Sequence, residues 1–245
     1  MSLDLERTPY ISTKRNIVVD PLVDFKSMFI YDLFEEQKEV YGKNKQSFYK
    51  LINRMENDGL LQSVSGLENN RKIIFLTPKG AEALDRDYIA FANREALRHD
   101  ALVSAFVLNI SKNTTCYNYE IPCSQFDDEL IPDAKCLLDI GGSKKQFCIE
   151  IELTRKSRER QLTKMENYLN HPDRPFVIYY FDKRGVFNSY KESMINMLID
   201  LDIEEKNNRI ILCHSPEMLS IDSSLMESEI YIQGQKATLK DIFHE

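Results

Sequence analysis

The run Phe147-Cys148-Ile149-Glu150-Ile151-Glu152-Leu153-Thr154 constrains the fold of this chain more than any other segment. Apolar and polar residues alternate along it. That period puts Phe147, Ile149, Ile151 and Leu153 on one face of a β-strand, and Cys148, Glu150, Glu152 and Thr154 on the other. One face belongs in a core, and the other carries two carboxylates. A strand bearing Asp133 can pair beside this one and bring a third acid close. Like charges at short range repel, so such a cluster calls for a compensating cation. Hard oxygen donors suit Mg²⁺ or Mn²⁺. Asp133 and Glu150 are the acids expected to hold the cation. A basic stretch follows at once, with Arg155, Lys156, Arg158, Arg160 and Lys164. Metal-holding acids beside a basic helix suit a phosphodiester substrate.

The surrounding pattern is that of an α/β core. Strands are expected over 116–121, 130–140 and 145–153, with Gly141-Gly142-Ser143 turning the last pair. A helix should cover 157–170. The continuous apolar run 176–181, bounded by Pro175 and Asp182, reads as a buried central strand. A helix over 186–199 and a strand over 209–213 complete the core. Residues 230–234 and 237–242 suit a small hairpin, or a strand and a helix.

The N-terminal third reads differently. Residues 1–20 look irregular. Asp24 can cap a helix over 25–37. Tyr41-Gly42-Lys43-Asn44 is a turn. A second helix over 45–58 carries Phe48, Leu51, Ile52 and Met55 at helical spacing, and Gly59 caps its end. Two short strands, 61–64 and 72–76, flank a polar loop. Thr77 and Pro78 then open another helix. Residues 81–111 read as one long helical stretch. Glu95 and His99 lie one turn apart on it, either as accessory groups for the acids or as a plain surface pair.

Composition narrows the class. The chain has 245 residues, enough for one large or two small domains, and no apolar run near the ~20 residues that span a bilayer. The first residues lack the apolar core of a signal peptide. Five cysteines form no CxxC pair and read as small buried residues in a reducing cytoplasm. A net charge of −7 argues against DNA binding by the whole surface but leaves room for local basic patches. Two stand out: Lys43, Lys45, Lys50 and Arg54, and the stretch from Arg155 to Lys164. Each is otherwise a solvated helix face.

Residues 22–85 resemble a winged helix-turn-helix, through Leu51…Met55-x-x-x-Gly59-Leu60, a wing, and Phe75-Leu76-Thr77-Pro78-Lys79-Gly80. The resemblance implies a recognition helix over 45–58. Lys43, Lys45 and Lys50 would then meet phosphates, Gln46, Ser47 and Tyr49 would reach base edges, Arg54 would belong to the same DNA-binding patch, and Arg71 and Lys72 on the wing would touch backbone. A winged helix used for protein contacts or dimerisation is the alternative. Pro132-Asp133 with Glu150-x-Glu152 resembles the PD-(D/E)XK nuclease core, with Glu152 where that family usually has lysine. The expected organisation is therefore a winged-helix domain over 1–85 and a nuclease-like domain over 86–245, with a mixed sheet flanked by helices.

The combination is similar to the replication-relaxation proteins and MobC-type plasmid mobilization relaxases. Leu97-Arg98-His99-Asp100, Pro132-Asp133-Ala134 and Glu150-Ile151-Glu152-Leu153-Thr154 leading to Lys164-x-x-x-Tyr168 carry that likeness. It implies a metal-dependent nickase acting on DNA at a transfer or replication origin. Relaxosome accessory proteins and a second copy of the chain would be its other partners. Lys135 or Lys164 would replace the missing lysine, Lys135 slightly ahead, and Glu152 would be a supporting acid or further ligand. A DNA-binding regulator with an inactive core, and a restriction-type double-strand nuclease, are the alternatives.

Overall fold

The computed structural model describes residues 18–42, 44–88, 90–122, 131–204 and 207–243. The chain is mixed α/β and divides into two compact units, Met1–Ser104 and Ala105–Glu245. The division falls inside a helix rather than near residue 85. The physical reason lies in that helix's first half, which is bonded to the first unit. Ser27 Oγ donates to the Leu97 carbonyl at 3.1 Å, and Ser104 Oγ donates to the Ser27 carbonyl at 2.7 Å.

The first unit runs α1 (Pro21–Asp24), β1 (Met28–Phe29), α2 (Ile30–Glu36), α3 (Lys38–Tyr41), α4 (Lys45–Asn57), β2 (Leu61–Val64), β3 (Ile73–Leu76) and α5 (Pro78–Ala83). Its sheet is antiparallel, in the order β1-β3-β2. The single helix expected over 25–37 does not form. Met28 and Phe29 are fully buried strand residues that pair with Ile74 and Ile73, and the helix starts only at Ile30. Asp24 closes α1 instead of capping a later helix. Pairing to the outer edge of β3 outweighs the local helical pattern, because an open buried edge would leave backbone groups unsatisfied.

α4 matches its expected limits because its ends are coded locally. Asn44 Oδ1 accepts from Ser47 N at 3.0 Å. At the other end Gly59, with φ +72°, allows Gly59 N to bond Glu56 O and Leu60 N to bond Met55 O. Phe48, Ile52 and Met55 form its buried stripe. Thr77 caps α5 through Gly80 N. Gly80 is required by closeness: a Cβ there would lie 2.0 Å from the Leu60 carbonyl oxygen.

The long helix expected over 81–111 is interrupted. α5 ends at Ala83, Asp85 takes φ +54°, and α6 (Arg94–Asn113) begins where Asn93 Oδ1 accepts from Ala96 N at 2.9 Å. Phe91, in the gap, packs edge-on against Phe75 at 5.1 Å between ring centroids. Phe91 thus serves a local contact instead of a helical face.

The second unit contains β4 (Cys116–Glu120), β5 (Ala134–Ile140), β6 (Ser143–Ile151), α7 (Arg158–Leu169), β7 (Phe176–Phe181), α8 (Arg184–Asp200), β8 (Ile210–His214), β9 (Glu229–Ile232), β10 (Gln235–Thr238) and α9 (Lys240–Phe243). They form one seven-stranded sheet in the order β10-β9-β8-β7-β6-β5-β4. β6, β7 and β8 are parallel, and the other pairings are antiparallel. Connections through α7 and α8 supply the two crossovers that parallel strands need. These helices cover one face, where Cys148, Met165, Tyr179, Phe181, Phe187 and Met194 share a core. The second half of α6 covers the other face, with Phe106 against Tyr180 at 5.6 Å. The C-terminal pattern resolves into a hairpin and a short helix. Of the strand expected over 130–140, residue 130 lies outside the described residues, and β5 begins at Ala134. No helix among the described residues is long and apolar enough to cross a membrane. Cys116, Cys136, Cys148 and Cys213 are free thiols.

Candidate functional site

The acids of the opening motif come together in the second unit. Asp133 precedes β5 by one residue, and its backbone extends the ladder: Asp133 N donates to Ile149 O at 3.0 Å. Its carboxylate accepts from Ile151 N at 2.7 Å through Oδ2. Parallel pairing sets Glu150 beside Tyr179 of β7, on the face that α7 and α8 cover. Glu150 is 1% exposed. Lys164 Nζ donates to its Oε2 at 2.5 Å, and the Tyr168 hydroxyl bonds its Oε1. Lys164 and Tyr168 are four apart on α7, so one helix face delivers both groups to one carboxyl. Glu152 is also buried, with Tyr190 of α8 among its electrostatic neighbours.

Electrostatics follow from this burial. Desolvation, reinforced by Asp133, pushes the Glu150 carboxyl up to about 8, against the pull of Lys164 and Tyr168. Burial also raises Glu152, although Lys164 and Lys156 oppose it. Burial would lower Lys164, but Glu150, Asp133 and Glu152 together carry it above its ordinary value. Burial raises Tyr168, Tyr179 and Tyr190 as well, with the acids adding to the effect. The Tyr179 hydroxyl is buried with no hydrogen-bond partner among the described residues. Its electrostatic neighbours are Glu150, Tyr190, Glu152 and Asp133. An orphan hydroxyl among acids is an unmet polar demand in the middle of the site.

These residues suit a hard divalent cation. The donors are carboxylate and hydroxyl oxygens, and the buried acids retain raised pKa values even beside Lys164. Among the described residues no three His, Cys, Asp or Glu side chains are already grouped as a ligand set. Asp133, Glu150 and the Ile151 carbonyl are the groups that would hold such an ion.

The two lysines differ in placement. Lys164 bonds Glu150 directly. Lys135 pairs across from Cys148, on the same face as Glu150 but one strand position pair away. The order favoured from sequence is therefore reversed in proximity, because a helix residue reaches over the sheet where a strand neighbour cannot. Arg155, Arg158 and Arg160 are exposed and Lys156 is half-buried, all around the start of α7. Ser157 caps that helix by accepting from Arg160 N. A bond chain braces the turn: Gln161 Nε2 donates to Lys156 O at 2.9 Å, and Ser193 Oγ donates to Gln161 Oε1 at 2.8 Å. Gln161, Tyr179 and Tyr190 were not singled out from the sequence. Tyr168 had a signal in its spacing from Lys164; the other three needed the helix-to-sheet packing to reveal them.

In the first unit α4 presents Lys45, Gln46, Ser47, Lys50 and Arg54 to solvent. Lys45 Nζ lies 4.8 Å from the Tyr31 ring centroid. Tyr49 is half-buried against Phe48, with ring centroids 5.7 Å apart. Burial and Glu35 raise its pKa. Lys43 lies outside the described residues. Arg71 is turned inward: it pairs with buried Asp32 at 3.2 Å and stacks on Phe29 at 3.3 Å. Its guanidinium is held against the protein instead of projecting from the wing. Lys72 is paired with Glu56 at 3.0 Å. Glu95 is exposed, and His99 Nδ1 lies 3.4 Å from Asp100 Oδ1. Both stand in the part of α6 that belongs to the first unit.

The chain matches no family model, no curated protein and no solved structure.

Proposed function

We propose that the chain is a DNA-binding, metal-dependent nickase of the atypical relaxase kind, acting at a plasmid transfer or replication origin in the cytoplasm. One observation carries the reading: Asp133 and Glu150 sit on neighbouring backbone segments, and Lys164 bonds the buried Glu150 carboxylate. The second unit is read as a PD-(D/E)XK-like core, and the first as a winged helix whose β2–β3 hairpin is the wing. Mg²⁺ or Mn²⁺ held by Asp133, Glu150 and the Ile151 carbonyl would supply Lewis-acid stabilisation of the phosphate and an activated water. Lys164 is the motif lysine supplied from α7, held in place by Glu150.

The charge pattern of α7 supports a phosphate partner. Arg155, Lys156, Arg158 and Arg160 cluster at the positive end of the helix dipole, where cations cost stability. An incoming anion reverses that cost and gains the helix N-terminus as well. On α4, Lys50 and Arg54 share an exposed face with Gln46 and Ser47, which fits phosphate contacts around base readout, while Lys45 stands at the helix start beside the Tyr31 ring. Relaxosome accessory proteins and a second copy of the chain are further partners under this reading.

A second reading is a DNA-binding regulator with a silent core. Both Glu150 oxygens are already engaged, by Lys164 and Tyr168, and Glu152 replaces the usual lysine. Supercoiled plasmid carrying the origin separates the readings. With Mg²⁺ or Mn²⁺, open circles are expected, lost in Asp133→Ala and Glu150→Ala while DNA binding persists. Intact supercoils with retained binding favour the regulator; linear product favours a double-strand nuclease.

A further inference from the structure

At the far end of β6 from Glu150, where β6, β7 and β8 begin, the second unit has an open cavity of about 790 Å³. Its lining carries Lys144, Lys145, Arg174 and Arg209 against one described acid, Asp173. This local excess of positive charge contrasts with the net −7 of the chain. Lys144 is turned aside, with Nζ 4.1 Å from the Tyr117 ring centroid. Asp173 is largely exposed and lies 3.9 Å from His171. Arg174 and Arg209 have no carboxylate partner among the described residues. They are joined through the backbone instead: Arg209 Nη1 donates to the Arg174 carbonyl at 2.5 Å.

Backbone conformation singles out the same place. Among the described residues six that are not glycine have positive φ: Asn69, Asn70, Asp85, Arg174, Asp202 and Gln233. Asn and Asp tolerate that region through local hydrogen bonds. Gln233, at φ +50°, and Gly234 form the two-residue turn between β9 and β10, which needs positive φ at both positions, and Arg174, at φ +45°, ends the turn that its N–H closes on the His171 carbonyl; both line this cavity. Glycine would suit either backbone better.

We propose that this cavity binds a nucleotide unit, with Arg174 and Arg209 taking its phosphate. Guanidinium groups match phosphate oxygens in a forked geometry. The cavity is within the size range of small-molecule sites and far exceeds what a bare phosphate fills. The lining also carries Phe176, with the Arg209 guanidinium 5.7 Å from its ring centroid, the apolar Leu169 and Val177 for a base to lie against, and the amide of Gln146. The same chemistry is presented by a free nucleotide and by the 5′-phosphorylated end of a single strand. Tyr168, one of the lining residues, has its hydroxyl committed to Glu150.

The test is calorimetric titration of the full chain, in chelator, with dAMP, inorganic phosphate, and oligothymidylate bearing either a 5′-phosphate or a 5′-hydroxyl. Binding of dAMP or of the 5′-phosphorylated strand is expected, tenfold or more weaker in Arg209→Gln and Arg174→Gly. Tighter binding of the phosphorylated strand than of dAMP assigns the strand end; the reverse assigns the free nucleotide. Arg174→Gly should also raise the melting temperature, because it relieves the backbone, so its loss of binding is not a loss of fold. The proposal is overturned if neither phosphorylated probe binds at millimolar concentration. It is equally overturned if inorganic phosphate binds as tightly as both, if the 5′-hydroxyl strand matches the phosphorylated one, or if both variants bind like the parent.

Discussion

Glu150→Gln is expected to stabilise the chain at alkaline pH and to do much less at acid pH. The wild-type carboxyl is 1% exposed, and burial with Asp133 pushes it from 4.5 up to about 8. A folded-state value above the unfolded one means that the folded protein holds a proton the unfolded chain releases. The associated stability is complete below pH 4.5 and is lost as pH rises toward 8. Across that whole interval the loss is roughly 5 kcal/mol. Between pH 5.5 and 8.5 it is about 3 kcal/mol. Glutamine does not titrate and keeps one acceptor for Lys164 and one donor for the Tyr168 oxygen. The Tyr168 hydroxyl can donate to the ionised acid or accept from the protonated one, so neither state lacks a partner there. The advantage of the variant should therefore widen by about 3 kcal/mol between those two pH values. Urea unfolding of both proteins in chelator, followed by circular dichroism, measures it, since the first unit is common to the pair. A difference that stays flat with pH, or that widens toward acid, would refute the reasoning: Glu150 would then be an ordinary ionised partner of Lys164.

Lys164→Met should lower nicking about 100-fold or more, whereas Lys135→Met should leave it within a few-fold, because of these two lysines only Lys164 bonds Glu150; plasmid nicking rates decide, and equal losses would show that proximity to Glu150 is not what matters. Lys50→Ala and Arg54→Ala should each weaken DNA binding at every sequence and reduce the salt slope by about one, while Gln46→Ala relaxes preference at one base pair; anisotropy titrations across salt and sequence read both. Gly80→Ala should destabilise the first unit by more than about 2 kcal/mol, since its Cβ would meet the Leu60 carbonyl oxygen at 2.0 Å; a melting temperature within a degree of wild type would contradict that geometry.

The sequence by itself determined the elements whose ends and faces are coded locally. α4 lies between Asn44 and the Gly59 cap, α7 starts at the Ser157 cap, and β7 is its apolar run to the residue. Alternation in β6 was enough to put Glu150 and Glu152 on one face, and the Pro132-Asp133 step placed the third acid near them. Tertiary structure decided what local pattern could not. The helical periodicity of residues 25–29 gave way to pairing with β3, because a buried sheet edge costs more than a lost helical turn. The apolar residues between Ala83 and Arg94 fit a helix by spacing, yet Phe91 is used on Phe75. Only the crossover of α7 over β6 could bring the Lys164 ammonium onto Glu150, or show that Tyr168, Tyr179 and Tyr190 surround the acids. Those contacts join residues distant in sequence, and no spacing rule carries across a parallel crossover. The sequence states which chemical groups are present on each element; the packing of α7 and α8 on the sheet decides which of them meet.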